Sequence, residues 1–495
     1  MFKRFTIMMI VLTILSAGLI STTAAQDDDT LVTVSIIHTS DEHGWLEPTV
    51  PFGSDMTLGG AANIYSWWVE NEGYTPETHL LLSGGDNWTG PAISTWFNGA
   101  STMEVMNLMG YDASAIGNHE FDFGRDVMAE RFSEANYPYL AANIRYADTG
   151  ELADFAIPYA IQEVSGVQVG IIGLTTRDTV TTTHPRNISD LEFTDYIEAL
   201  QEFVPQMREA GAQIIIVTSH ACFHELTPIA QEVPELVDAM FTGHCNQYQS
   251  QTINGVSIMG GGASLQSYAR LNITFDTSTN EITALDQSLA RVEYVTADGN
   301  PVTPNPEIDA VVADWSAEVN AQLSIEIGYL ENTIDRQSWT QGNWVTDAWL
   351  WAYPSADAAV TNWGGLRQDT EPGTLTWGNL VGLMPFDNYL VTVEITGAQL
   401  IANLDCCSGA IGGMTFDGDT ITFLDGREFD PDATYTVLIS DFMYAGGDDY
   451  LFGEQDPEGY DTGIHWRQPV IDYTASLNTS ADDPLDNYLD TAPRN

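Results

Sequence analysis

The sequence predicts an α/β fold of packed layers, arranged as two domains. Three observations predict it. Short apolar, β-rich runs alternate with segments of helical spacing through the first half. A loop, Asp298-Gly299-Asn300-Pro301 followed by Pro304 and Pro306, breaks that pattern. The alternation then restarts from Tyr329. A chain of 495 residues has room for such a plan at roughly 100–200 residues per domain.

The elements follow in order. Residues 1–25 read as a signal peptide. Lys3 and Arg4 precede the apolar stretch Phe5–Ile20, and Thr23-Ala24-Ala25 forms a small-residue cleavage site before Gln26. The expected location is therefore secreted, extracellular or periplasmic. No later apolar run approaches the ~20 residues of a membrane span, so no transmembrane anchor is expected in the mature chain. Residues 26–305 form the first domain. Its expected strands are Val32–His38, His79–Leu82, Ala113–Ile116, Val167–Leu174, Gln213–Thr218, Ala239–Thr242 and Val256–Met259. Ala61–Glu70 and Phe193–Ala210 have helical spacing, and Arg270–Phe275 with Glu281–Ala284 reads as edge strands or a hairpin. Apolar spacing through Ile308, Val311, Val312, Trp315 and Val319 predicts a linker helix over 306–328. A second domain spans 329–480, with a helix at Asn343–Ala352 and strands at Ala358–Thr361, Leu390–Ile395 and Tyr435–Ser440. A polar tail, 481–495, closes the chain.

Composition excludes two classes. The chain carries 70 acidic against 15 basic side chains, a net charge of -55. Loss of Lys3 and Arg4 with the signal peptide takes it to -57. No nucleic acid polymer is an expected partner, because little here could displace phosphate counterions. Thirteen Trp, 20 Tyr and 19 Phe exclude a disordered acidic chain. Four cysteines, Cys222, Cys245, Cys406 and Cys407, are too few for a disulfide scaffold. Cys222 and Cys245, next in line to His220 and His244, read as thiols behind those histidines or as a bridge between the two loops, with simple small-residue packing the favoured reading. Adjacent Cys406 and Cys407 could form a strained vicinal bridge, with two small buried thiols a reading of at least equal weight.

Chemistry-bearing residues cluster just after the apolar runs. Asp41-Glu42-His43-Gly44 follows the first, Gly84-Gly85-Asp86-Asn87 the second, and Gly117-Asn118-His119-Glu120-Phe121-Asp122 the third. Ser219-His220 and Gly243-His244-Cys245-Asn246 follow two later runs. In α/β sheets ligands gather at the carboxyl ends of strands. A single Asp or His at such an end is ordinary turn chemistry. Five ends carrying Asp, His and Asn together suit a two-metal site, in which one carboxylate bridges cations ~3.5–4 Å apart. Mixed nitrogen and oxygen donors favour Zn, Mn, Fe or Co.

In this order the motifs resemble the calcineurin-like metallophosphoesterases, and within them the secreted 5′-nucleotidase family. The resemblance implies a layered α-β-β-α metallophosphoesterase domain joined to a smaller α/β substrate-binding domain. It implies two divalent metal ions: Asp41 and His43 on the first, Asp86 bridging, and Asn118, His220 and His244 on the second. Asn246 stands where the family has a first-metal His or Gln. His119, paired with Asp122, is the implied catalytic group, assisting in-line attack on phosphorus by metal-bound water.

In the second domain Asn362-Trp363-Gly364-Gly365-Leu366-Arg367, Pro385-Phe386-Asp387-Asn388 and Phe442–Asp448 resemble the family's nucleotide-binding elements. By that likeness Phe386 and Phe442 sandwich a base. Asn362, Asn388 and Asp448 bond base or ribose, Arg367 holds phosphate, and Arg336 is a further phosphate-side candidate. The expected activity is removal of phosphate from nucleotides. Rival readings are a 2′,3′-cyclic-nucleotide phosphodiesterase with 3′-nucleotidase activity, a nucleotide-sugar hydrolase, and a catalytically silent nucleotide-binding or surface-adhesion protein.

Overall fold

The computed structural model describes residues 30–49, 56–292 and 302–495; the segment read as a signal peptide lies outside the described residues. Twelve strands build two facing sheets in the first domain. They are β1 (Leu31–Thr39), β2 (His79–Ser83), β3 (Ala113–Ala115), β4 (Tyr139–Leu140), β5 (Tyr159–Val164) and β6 (Val167–Thr175). Then come β7 (Ile214–His220), β8 (Ala239–Phe241), β9 (Tyr248–Ile253), β10 (Val256–Gly261), β11 (Ser267–Asp276) and β12 (Glu281–Arg291). One sheet has the order β12-β11-β1-β2-β3-β4, the other β9-β10-β8-β7-β6-β5. The inner strands are parallel: β1 with β2, β2 with β3, β6 with β7, and β7 with β8.

The layering follows from what each face buries. Val34, Ile36, Leu80 and Leu82 of one sheet share a core with Val169, Ile171, Ile214 and Phe241 of the other. The opposite face of β7, through Ile215 and Val217, packs against Leu200, Val204 and Met207 of the helix Tyr196–Glu209. That helix starts where the Asp195 carboxylate accepts from the backbone N–H groups of Ile197 and Glu198. Strand β7 is buried at every position and reads as a continuous apolar run because both its faces are covered. On the outer side of the first sheet, Ile64, Val105, Met106 and Met128 meet Ile37 and Leu81. The result is the expected α-β-β-α stack.

Several expectations are refined. The hairpin after residue 266 forms, but its first strand β11 pairs with both β1 and β12, so β12 alone is the edge. The linker helix runs Pro306–Leu323, capped by the Asn305 side chain, and stops short of residue 328. Glu326–Leu330 instead pairs as a strand with Gly373–Thr376. The helix buries Ile308, Val312, Val319 and Leu323 against the first domain's outer helices.

The second domain is built on a five-stranded sheet of β13 (Ala358–Asn362), β14 (Tyr389–Thr396), β15 (Gly409–Gly412), β16 (Thr434–Ser440) and β17 (Tyr460–His465). Their order is β15-β13-β16-β14-β17. Residues 481–495, read as a polar tail, pack on this domain. Leu485 is fully buried, and Arg494 pairs with Asp347 at 2.7 Å and Asp490 at 2.9 Å. A polar sequence can dock in this way when its charges find fixed partners.

Candidate active site

The carboxyl ends of β1, β2, β3, β7 and β8 meet at one edge of the stacked sheets, bringing the five motifs together. The backbone there is unusual. Asp41, His43, Asp86, His244 and Asn246 all have positive φ, between 46° and 65°. Such conformations persist in non-glycine residues only where the surroundings over-determine them, and they cluster at functional sites. The flanking glycines answer a second demand. A Cβ on Gly117 would lie 2.2 Å from Asp86 Oδ1, and one on Gly243 2.9 Å from His220 Nδ1.

Two groups of potential ligand atoms share Asp86. His43, Asp86 and His119 lie within 4.8 Å of one another, as do Asp86, His220 and His244. His43 Nδ1 lies 2.8 Å from the Thr89 carbonyl, and His220 Nδ1 2.8 Å from that of Gly84. A carbonyl only accepts, so both Nδ1 atoms carry hydrogen and a neutral ring presents its Nε2 lone pair. His220 Nε2 then faces two more oxygens, Asp86 Oδ2 at 2.9 Å and Asn118 Oδ1 at 3.1 Å. Lone pairs converging this way call for positive charge between them. In the absence of a cation a proton on Nε2 meets that demand: burial opposes the charge, and Asp86 outweighs it, pushing the His220 pKa up to about 10. Burial alone would raise the Asp86 carboxyl, yet His220, His119 and His43 hold it well below the usual range. The donor set fits divalent cations, with backbone carbonyls orienting the imidazoles as ligand supports do. Asp41 is buried alongside but belongs to neither group; its Oδ2 accepts from Ser40 Oγ at 2.5 Å, and burial pushes its pKa up to about 6. His244, lowered to about 3 chiefly by burial, is held neutral.

His119 has a different setting. Its Nδ1 is 2.7 Å from Asp122 Oδ2, and its backbone N–H donates to Asp86 Oδ1 at 2.8 Å. Burial disfavours its charge, but Asp122 and Asp86 together raise its pKa.

The second domain closes over this edge. A cavity of about 210 Å³ is lined by His43, Asp86, Asn118, His119, Asp122, His244 and Asn246 from one domain. Asn362, Arg367, Phe386, Asn388, Phe442 and Asp448 line it from the other. Arg367 Nη2 reaches His43 Nε2 at 3.0 Å, and its guanidinium carbon sits 5.9 Å from the Phe386 ring centre. Phe386 stacks on His119 at 5.6 Å. Asn362 Nδ2 donates to Asp448 Oδ2 at 2.7 Å, while Asn362 Oδ1 is buried with no protein partner. Of the predicted residues, Asp41, His220 and Arg336 do not line this cavity. His220 lies beneath it, and Arg336 borders a neighbouring cavity with Arg367.

Sequence reasoning missed several contributors. Glu120 ties the β2 and β3 ends together, accepting from the N–H groups of Asp86, Asn87 and Gly117 at 2.9, 2.7 and 2.6 Å. It lay inside a recognised motif, and its burial was the missing signal. Thr182, His184 and Arg186 also line the cavity, from a loop with no motif of its own. His184 and Arg186 each approach Asp441 of the second domain at 3.5 Å. Cys222 and Cys245 are joined as a disulfide, correcting the reading of small-residue packing, and Cys406–Cys407 is a vicinal bridge. The first pair became legible once β7 and β8 were seen to be neighbours.

Comparison with known proteins agrees with this geometry. Residues 323–454 match the family model described as 5′-nucleotidase, C-terminal domain. Over 91% of its length the chain is 27% identical to cell wall protein Lmo0130 of Listeria monocytogenes serovar 1/2a, covering 68% of that protein. Over 90% it is 26% identical to the 5′-nucleotidase of Bos taurus, covering 88% of it. The solved structure of a 5′-nucleotidase precursor from Thermus thermophilus superposes with a TM-score of 0.80 at 23% identity. That match spans 94% of this chain and 99% of the other, and it is a likeness of fold.

Proposed function

We propose, from the match of residues 323–454 to the 5′-nucleotidase C-terminal domain and the similarity to 5′-nucleotidases along most of the chain, that this protein is a metal-dependent phosphoric ester hydrolase that removes the 5′-phosphate from nucleotides. One observation carries the reading: a single cavity is lined by the imidazole–carboxylate cluster of one domain and by the Asn, Arg and Phe residues of the other. The N-terminal reading and the two disulfides support action outside the cytoplasm.

Asp41, His43, Asp86 and Asn246 would hold one divalent cation, and Asp86, Asn118, His220 and His244 a second. When bound, the pair supplies Lewis acidity at the phosphoryl oxygens and acidifies water at neutral pH. The protein's own groups do the rest. Asp122 accepts from His119 Nδ1–H and stabilises the imidazolium, so Nε2–H can donate to the leaving ester oxygen or to the transferring phosphoryl group. Arg367 sets a guanidinium beside the same point and offsets phosphoryl charge. Phe386 and Phe442 offer faces to a base, each worth ~1–3 kcal/mol. Asn388, Asp448 and the unpartnered Asn362 Oδ1 offer polar contacts to ribose or base.

The test is phosphate release across mono-, di- and cyclic nucleotides and nucleotide sugars with each metal. It is paired with Phe386→Ala/Phe442→Ala on a nucleotide and on a small aryl phosphate. We expect the double variant to raise KM for the nucleotide at least tenfold and to leave the aryl phosphate within about twofold. Equal loss on both would make these rings structural.

A further inference from the structure

A second cavity, of about 490 Å³, adjoins the first, with Asn246 and Arg367 in the wall of both. Three arginines line it: Arg291 from the edge strand β12 of the first domain, and Arg336 and Arg367 from the second. In so acidic a chain that convergence carries meaning. The described residues include 13 arginines. Nine of them pair with carboxylates: Arg125, Arg131, Arg145, Arg177, Arg186, Arg208, Arg270, Arg427 and Arg494. Of the other four, Arg467 spends its guanidinium on the Met384 and Phe386 carbonyls. The remaining three are those of this cavity.

Among the described residues one carboxylate, Asp369, reaches the cavity wall. Its Oδ1 accepts the backbone N–H of Arg336 at 2.6 Å, not the guanidinium. Among the described residues Arg336 Nη1 otherwise reaches the Arg367 carbonyl, at 3.5 Å. Arg291 lies over the Tyr248 ring at 5.2 Å, which holds a cation in place without neutralising it. The chain carries 70 acidic side chains, yet among the described residues no carboxylate pairs with the guanidinium forks that the two domains present to this space. Such forks match tetrahedral oxyanions.

We propose that this cavity is a second anion site, in which Arg291 and Arg336 take a phosphoryl-type oxyanion distinct from the one beside Asp86 and His119. The chemistry has two sources: a further phosphoryl group of a nucleotide whose reacting group lies in the first cavity, or free orthophosphate. The first source rests on the nucleotide reading above; the second does not.

The experiment compares wild type, Arg291→Gln and Arg291→Lys, all metal-loaded. It measures kcat/KM for a nucleoside mono- and triphosphate of one base, and titrates orthophosphate calorimetrically. Arg291 is exposed at a strand end, so the variants test charge rather than folding. If the site holds a distal phosphoryl group, Arg291→Gln lowers triphosphate kcat/KM about tenfold, leaves monophosphate within twofold, and Arg291→Lys restores most of the loss. If it holds free phosphate, both substrates are unchanged and an orthophosphate-binding event weakens about tenfold. Equal turnover ratios together with unchanged phosphate binding overturn the site. A wild type inactive on every nucleotide overturns the proposed function, while the calorimetric arm still decides the anion site.

Discussion

Asp86 and His119 sit within 4.0 Å of each other yet serve different ends. Asp86 is the residue shared by both potential ligand groups, whereas His119 is fixed by Asp122. Asp86→Ala should therefore lose bound metal along with activity. His119→Ala should keep most of its metal and lose turnover ~10²–10⁴-fold, the range for a positioned acid or base. Metal analysis beside kcat separates the two; near-full activity in His119→Ala, or loss of both metals, would remove it from its proposed role. A second residue-scale test concerns Asp112, whose Oδ2 accepts the Leu81 N–H at 2.8 Å away from the site. Burial raises its pKa from 3.8 to about 6. The folded state thus binds this proton more tightly than the unfolded chain. Its stabilising contribution is complete below pH ~4 and is lost as pH rises through ~6. Asp112→Asn keeps an acceptor without the charge. It should match wild type at pH 4 and exceed it by about 1 kcal/mol at pH 7 in denaturant unfolding, a figure reduced for partial exposure. A constant difference at both pH values would assign the effect to packing.

At the scale of elements, the site is a set of strand-end loops held in strained backbone by their neighbours. The Cys222–Cys245 bridge joins the loop after β7 to the loop after β8, spanning the segments that carry His220 and His244. Closing 23 residues of chain should contribute about 3 kcal/mol. Cys222→Ser/Cys245→Ser should lower the unfolding midpoint accordingly. It should also release metal at chelator concentrations about tenfold lower, because two ligand loops lose their common tether. Unchanged metal retention with lowered stability would make the bridge a staple for the fold alone. Glu120 acts at the same scale through three backbone N–H groups, so its side chain serves loop shape.

For the whole molecule, charge is the dominant fact. At -55, or -57 if Lys3 and Arg4 leave with a signal peptide, the charge should repel an anionic nucleotide at long range, with attraction confined to the arginine-lined cleft and the candidate cation site. Salt screens the long-range part first, since the Debye length falls from ~10 Å at 0.1 M to ~3 Å at 1 M. We expect kcat/KM for a nucleoside monophosphate to hold or rise as a non-coordinating salt approaches ~1 M. A steep monotonic fall, with folding and metal content unchanged, would show that local positive potential governs capture. No helix among the described residues is long and apolar enough to cross a membrane.

The sequence by itself determined the α/β alternation and the five polar strand ends, while the loop read at residues 298–301 lies outside the described residues. Hydrophobic periodicity and clustered Asp, His and Asn are local properties, readable one segment at a time. It also determined the candidate nucleotide-binding elements around Arg367, Phe386 and Asp448, because each is a contiguous motif. Tertiary structure alone decided which strands adjoin, and with that the bridge from Cys222 to Cys245, since pairing depends on the positions of segments far apart in the chain. It decided that residues 481–495 pack rather than trail, because Arg494 finds Asp347 some 147 residues away. It decided, too, which arginines pair with carboxylates among the described residues and which do not. Arg336 is a phosphate-side candidate in the sequence, but Arg291 looks like the nine that pair; only the closing of two domains on one cavity brings it beside Arg336, because a charge is compensated by what lies near it in space.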